Sequence, residues 1–301
     1  MRVYTHSDCL GHVTPPGHPE QVDRLRAVER GLSGLDVTRA DCPMGAKEDI
    51  LRCHPQSYID RIRRAAPTQG WTQVDGDTFL SPGSWNAALR AVGGICAAVD
   101  HVVATGKPAF VAARPPGHHA ERETAMGFCL FGTVAIGAMR ALDVHGLTRV
   151  AVLDFDVHHG NGTQDLLWNE NRVRFVSSHQ MPLYPGSGHR SERGAHGQIT
   201  NLPLRSGSGG TEMWHAWKPA LDDLRAWQPE LVLISAGFDA HRDDPLGGLN
   251  WTADDFSRLT AAIADLAGGR VVSSLEGGYD LDALADSVAA HVNELIRGRH
   301  D

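Results

Sequence analysis

Val150-Ala-Val-Leu153 runs directly into Asp154-Phe-Asp156-Val-His158-His159-Gly-Asn161-Gly. A β-branched apolar run that ends in carboxylates and imidazoles reads as a buried parallel strand with chemistry at its carboxyl end. Runs at 110–113, 173–176, 231–234 and 271–275 read the same way. Between several of them lie helical patterns, at 21–31, 85–104, 132–142, 212–227, 254–266 and 281–296, the fifth opened by a capping pair, Thr252 and Asp255. Strands alternating with helices predict a doubly wound α/β sheet with helices on both faces. The apolar stretch 128–139, stopped by Arg140, falls short of the roughly 20 residues that cross a bilayer and predicts a core helix. The segment 178–210, rich in Gly, Pro and Ser, predicts one long irregular loop that walls a site.

Composition narrows the class. With 301 residues, 42% hydrophobic and 21% charged, the chain reads as an ordinary globular protein, one domain over 1–301. A net charge of −8 argues against direct nucleic-acid binding, which needs cations to neutralise phosphates. Five cysteines, an odd number without a Cys-x-x-Cys pair, fit a reducing compartment. The N-terminal Thr5-His6-Ser7-Asp8 is too polar for a signal peptide, so the expectation is a cytoplasmic protein with no membrane partner. Histidine is abundant, 17 in all, and the question is where those imidazoles sit.

They sit, in part, after the strands. The run 110–113 is followed by Arg114-Pro-Pro-Gly-His118-His119, the run 231–234 by Ser-Ala-Gly-Phe-Asp239, and the run 271–275 by Glu276-Gly-Gly-Tyr279. Open parallel sheets bind ligands outside their carboxyl ends, so these segments converge. Asp154, Asp156 and His158 alternate with apolar residues and would share a face if strand geometry continued. Asp239 supplies a candidate third ligand, giving an Asp, His, Asp set open to water and substrate; the other reading is that Asp154, Asp156 and His158 cap a helix and bind one another. Oxygen and imidazole donors accept zinc by default, with Fe2+ or Co2+ fitting the same atoms. Two carboxylates offset a divalent charge, so extra catalytic groups are needed. In the adjacent pair His118 and His119, one imidazole can shuttle a proton while the other stays charged. Tyr279 can donate its phenol to an oxyanion.

Taken together, Arg-Pro-Pro-Gly-His-His-Ala, Gly127-Phe128-Cys129, Asp-Phe-Asp-Val-His-His-Gly-Asn-Gly-Thr, Ala-Gly-Phe-Asp-Ala-His-Arg-Asp-Asp-Pro-Leu-Gly-Gly and Leu-Glu-Gly-Gly-Tyr closely resemble the zinc-dependent histone deacetylase family. The likeness runs in order from His18-Pro19-Glu20 and Arg24 to Tyr279, with Asn161 and Glu276-Gly-Gly-Tyr279 most similar to the class II branch. The resemblance implies the three-layer α/β/α arginase/deacetylase fold, a single mostly parallel eight-stranded sheet. It also implies hydrolysis of an acetyl amide, with acetyl-lysine protein or peptide, or a small acetylamide, as substrate. By resemblance Asp156, His158 and Asp239 bind Zn2+, His119 is the general base and acid, and His118 is its electrostatic partner. Asp154 orients His118, while Asn161 stands behind His119 where other branches place an aspartate. Zinc and Tyr279 polarise the acetyl carbonyl, and His119 takes a proton from the attacking water and returns it to the amine. Phe128 and Tyr184 wall a narrow tunnel, Tyr184 where the family commonly has phenylalanine. Gly127 offers its carbonyl, Leu246 contributes near the mouth and Arg24 lines the pocket base. K+ is implied at Asp154, Asp156, His158 and Ser177, partly through backbone carbonyls, with His179 nearby in sequence.

Three rivals remain at this level. An acetylpolyamine amidohydrolase shares the metal site and differs at the rim; an arginase-like enzyme with two manganese ions needs more bridging carboxylates. The third is a catalytically silent acetyl-lysine-binding protein. His6, Cys9 and His12 are spaced like ligands without a fourth partner. Asp75 and Asp77 read equally as a substrate-holding rim or a solvated turn. The physiological substrate and the oligomeric state are not legible.

Overall fold

Strands that bury both faces have no polar side to turn outward, so they belong inside a sheet covered above and below. A computed structural model, which describes residues 1–298, places the five expected runs accordingly. In chain order the described residues form β1 (Arg2–Thr5), α1 (Asp23–Leu32), β2 (Thr38–Asp41), α2 (Lys47–Ile50), α3 (Gln56–Ala65), β3 (Thr72–Gln73), β4 (Phe79–Leu80) and α4 (Ser84–Thr105). There follow β5 (Ala109–Val111), α5 (Thr133–Asp143), β6 (Val150–Asp154), α6 (Asn161–Leu166), β7 (Val173–Gln180) and β8 (Ile199–Leu204). The chain continues through α7 (Gly210–Trp227), β9 (Leu231–Ala236), α8 (Ala253–Ala264), β10 (Val271–Leu275) and α9 (Leu281–Arg297).

Eight strands make one sheet in the order β2-β1-β5-β10-β9-β6-β7-β8, and every neighbouring pair is parallel. A separate antiparallel pair, β3 and β4, stands outside it. Every residue of β5, β6, β9 and β10 is buried. Helices α4 and α5 pack on each other and on these strands, while α1, α8 and α9 form a second packed group. The sheet is thus flanked by helices, as expected. Among the described residues α4 alone is long and apolar enough to cross a membrane. Here its Val92, Ile95, Val99 and Val102 are buried in the core, each worth about 1.5–3 kcal/mol on leaving water. The Thr252 cap of α8 forms: its N–H and Oγ1 both donate to Asp255 Oδ2 at 2.9 Å.

Three expectations are corrected. The segment 178–210 is not one loop: β7 extends to Gln180 and Ile199–Leu204 adds edge strand β8, leaving 181–198 and 205–209 irregular. The stretch 128–139 is not helical throughout, because Phe128 adopts φ 68° and α5 begins only at Thr133. Strands β1 and β2 were missed, the first for its brevity and the second because an exposed edge sequence, Thr-Arg-Ala-Asp, shows no apolar run.

Candidate active site

Strand β6 ends at Asp154, and the next residues turn rather than pleat. The turn, not strand alternation, brings the acidic side chains together. Asp156 Oδ1 accepts the His158 N–H at 2.9 Å and lies 3.0 Å from His158 Nδ1, while Oδ2 accepts the Gly277 N–H at 2.8 Å. From the end of β9, Asp239 Oδ1 accepts the Val157 N–H at 2.8 Å. Its Oδ2 lies 3.2 Å from His158 Nδ1, yet it is buried with no hydrogen bond. One ligand atom from each of Asp156, His158 and Asp239 falls within 4.8 Å of the others. A dry carboxylate oxygen without a donor, beside a second carboxylate and an imidazole, fits a divalent cation. Burial opposes a charge on His158, but the two carboxylates prevail and push its pKa up to about 10. Burial and the Asp156 charge raise Asp239 to about 7. Gly277 is obligatory here, since a Cβ would stand 2.1 Å from Asp239 Oδ2.

The turn after β5 delivers the tandem histidines, whose ring centroids are 4.0 Å apart. His118 Nδ1 lies 3.0 Å from Asp154 Oδ2, and its Nε2 is 3.7 Å from Asp156 Oδ2. Burial works against its charge, yet those carboxylates hold its pKa well above the ordinary value. His119 differs: burial, then the charges of His118 and His158, hold it well below that value, so it stays neutral. Its Nδ1 lies 2.7 Å from Asn161 Oδ1, and Asn161 Nδ2 donates to Glu121 Oε1 at 2.8 Å. With the Asn161 oxygen so oriented, Nδ1 carries the hydrogen and Nε2 keeps a lone pair. Adjacent imidazoles therefore hold opposite protonation states, the arrangement that acid–base work requires.

His119 of the tandem pair and His158 of the candidate metal group face a cavity of ≈ 280 Å³. Gly127, Phe128, Tyr184, Leu246, His119, His158 and Tyr279 line it, joined by Asp77 and Leu183. Gly127 adopts φ 54°, and a Cβ there would stand 2.3 Å from the His119 ring. The strained Phe128 backbone is fixed by its N–H to Thr78 Oγ1 at 3.0 Å. Phe128 meets the Tyr279 ring edge-on at 5.9 Å, and Tyr184 meets His119 at 5.2 Å. Wider surface clefts, ≈ 870 Å³ beside Leu10 and Leu25 and ≈ 780 Å³ beside Leu202 and Ala216, bring together no such groups.

Arg24 is not on the cavity wall. It is fully buried behind Tyr279, its guanidinium 4.9 Å from the ring centroid, donating to the carbonyls of Gly278 at 2.7 Å and of Glu276. Its charge is met by Glu20 at 2.9 Å, and Glu20 in turn is gripped by buried Arg114. Asp244 Oδ2 accepts the Tyr279 N–H at 2.6 Å. Strand register sets Ser177 of β7 beside Asp154 of β6. His6, Cys9 and His12 are not gathered: His6 accepts the Asp8 N–H and His12 pairs with Ser84. Among the described residues the Asp156, His158 and Asp239 group brings three ligand atoms together. In the sequence Glu276 marks a strand end and carries no visible role. Its Oε2 accepts the N–H groups of Gly117 at 2.7 Å and His118 at 3.1 Å, across more than 150 residues of chain, and burial raises its carboxyl to about 7. Nothing local in the sequence announces such a partner.

Known proteins resemble the chain in sequence and in fold. The profile of the histone deacetylase domain matches residues 18–295. The chain is 38% identical to "Histone deacetylase 10, chloroplastic" of Oryza sativa subsp. japonica, over 95% of this chain and 71% of that protein. It is 37% identical to the "Histone deacetylase-like amidohydrolase" of Pseudomonas aeruginosa, over 89% of this chain and 75% of that one. The crystal structure of the HDA15 HD domain superposes with a TM-score of 0.93 at 32% identity, covering 98% of this chain and 91% of the other.

Proposed function

The chain belongs to the histone deacetylase family and is a hydrolase of linear amides, and from that premise we propose that it removes acetyl groups from the side-chain amine of lysine in proteins or peptides. The observation that carries this reading is the tandem pair His118 and His119, the first against Asp154 and the second lining a cavity together with His158 and Tyr279, beside the Asp156, His158 and Asp239 group. When bound, a divalent metal, zinc by default with Fe2+ or Co2+ as alternatives, supplies Lewis acidity to the acetyl carbonyl and to water. Asp156, His158 and Asp239 would hold it. His119 then accepts the proton of the attacking water at Nε2 and passes it to the leaving amine. Asn161 keeps the ring aimed, and Asp154 keeps His118 charged. The Tyr279 hydroxyl donates to the developing oxyanion. Phe128 and Tyr184 exclude water along the lysine stem, Leu246 stands at the mouth, and Gly127 receives the amide through its carbonyl. Arg24 reaches the reaction only through Tyr279. K+ at Asp154, Asp156, His158 and Ser177 completes the proposal; the adjacency of Asp154 and Ser177 supports it.

A second reading, a small-amide or acetylpolyamine deacetylase, is favoured by one feature. The Asp77 carboxylate faces the cavity and suits a cationic amine. The test is acetate release from an acetyl-lysine peptide, a longer acyl-lysine peptide and acetylputrescine, each with and without chelator. Turnover of the lysine peptide, lost with chelator and restored by zinc, supports the first reading; turnover of acetylputrescine alone replaces it with the second. No acetate from any of them returns the silent acetyl-lysine binder.

A further inference from the structure

A glutamate buried beside a catalytic centre calls for a reason, because a buried carboxylate rarely stabilises a fold better than an apolar side chain of its size. Glu276 is fully buried at the end of β10. It forms no ion pair with the nearby Arg24, which takes only its main-chain carbonyl and spends its charge on Glu20. Instead Oε2 accepts two consecutive main-chain N–H groups, those of Gly117 and His118, while Oε1 has no hydrogen-bond partner. These are the amides that lead straight into the two catalytic imidazoles. Glu276 is also fixed on its own side: its N–H donates to Ala236 O at 2.9 Å, and the next N–H, of Gly277, goes to Asp156 Oδ2.

We propose that Glu276 is a positioning residue for the tandem histidines: by holding the Gly117 and His118 amides from the end of β10, it sets the distance of both imidazoles from the metal ligands and from Tyr279. The inference rests on the deacetylase reading above for its kinetic consequence, but not for its geometry. A misplacement of about 1 Å at reacting groups can cost about 100-fold in rate. Glu276→Met keeps the volume and removes the acceptors; Glu276→Gln keeps an acceptor oxygen.

The test compares wild type, Glu276→Met and Glu276→Gln, loaded with zinc, on an acetyl-lysine peptide. Amide hydrogen exchange of the 114–120 segment is followed by mass spectrometry in the same three proteins. Glu276→Met is expected to lose about 10- to 100-fold in kcat with KM within about 3-fold, and to exchange faster across that segment. Glu276→Gln is expected to restore both to near wild type. The proposal is overturned if Glu276→Met keeps wild-type kcat, or if Glu276→Gln is as impaired as Glu276→Met. Unchanged exchange in Glu276→Met overturns it too. A wild type without activity on the peptide defeats the deacetylase reading, and exchange then decides alone whether Glu276 holds the turn. If Glu276→Met does not fold, Glu276→Ala replaces it under the same criteria.

Discussion

Replacing Tyr279 by phenylalanine removes one oxygen and little else. The ring is held from behind by the Arg24 guanidinium at 4.9 Å and from the side by Phe128 at 5.9 Å. The main-chain N–H is held by Asp244. All of these contacts survive in phenylalanine, so the folded state should lose no more than about 1 kcal/mol. Burial, with carboxylates nearby, keeps the phenol pKa well above the ordinary value, so the hydroxyl is a proton donor at any working pH. The charge it would receive exists only as the carbonyl becomes tetrahedral, and its loss should therefore fall on the transition state. The expected drop in kcat is about 10²- to 10³-fold, or roughly 2.7–4 kcal/mol of barrier, with KM within about 3-fold. Steady-state kinetics of the zinc-loaded protein on an acetyl-lysine peptide, with thermal melts of both proteins, would measure this. A kcat within about fivefold of wild type refutes the reasoning, as does a rise in KM that accounts for the whole loss in kcat/KM.

Other outcomes are expected. Zinc added to metal-free protein should raise Tm by roughly 4 °C at a free concentration near 100 Kd. Asp239→Asn should abolish most of that rise, and an undiminished shift in differential scanning would remove Asp239 from the ligand set. Arg114→Met strips a fully buried Glu20 of its main counter-ion. A cost of about 3–5 kcal/mol lowers Tm by roughly 5–8 °C in a chain of 301 residues; a drop under 2 °C would show the pair to be replaceable. Glu230 accepts the N–H groups of Thr148 and Arg149, and the first of these lowers its pKa below the ordinary 4.5. A group depressed on folding stabilises above its unfolded value and stops doing so as pH falls through the folded one. Glu230→Gln should therefore be less stable than wild type at pH 7 and equal to it near pH 2 in urea titrations; a gap independent of pH would contradict the assignment.

What the sequence reveals follows the range of the forces involved. Central strands announce themselves because both faces are buried, so 271–275 was read to the residue and β6 to within one. Edge strand β2 packs too little apolar surface to leave a pattern, and β8 was hidden among turn-forming residues in 178–210. That Asp156, His158 and Asp239 meet beside the tandem histidines was legible because strand order gathers chemistry at carboxyl ends. Their local geometry was not: Asp154, Asp156 and His158 do not alternate on a strand, since the chain turns after Asp154. Arg24 was placed at the pocket base by resemblance but lies behind Tyr279, and neither Glu276 nor Asp77 could be tied to its partner. Glu276 meets Gly117 and Asp77 meets Gly127 only after the sheet has formed.

The position of β10 has a consequence for how the protein comes into being. Among the described strands it is the latest in the chain, yet it is a middle one, flanked by β5 on one side and β9 on the other. Without it the sheet would be two incomplete pieces, β2-β1-β5 bearing the tandem histidines and β9-β6-β7-β8 bearing the candidate metal group. Neither piece holds a working centre, and both expose a raw inner edge ready for wrong pairing. Strand β10 closes those edges, joins the halves and delivers Tyr279. A chain in which β10 has not docked would hold the two halves of the candidate site apart and leave unpaired edges open to aggregation.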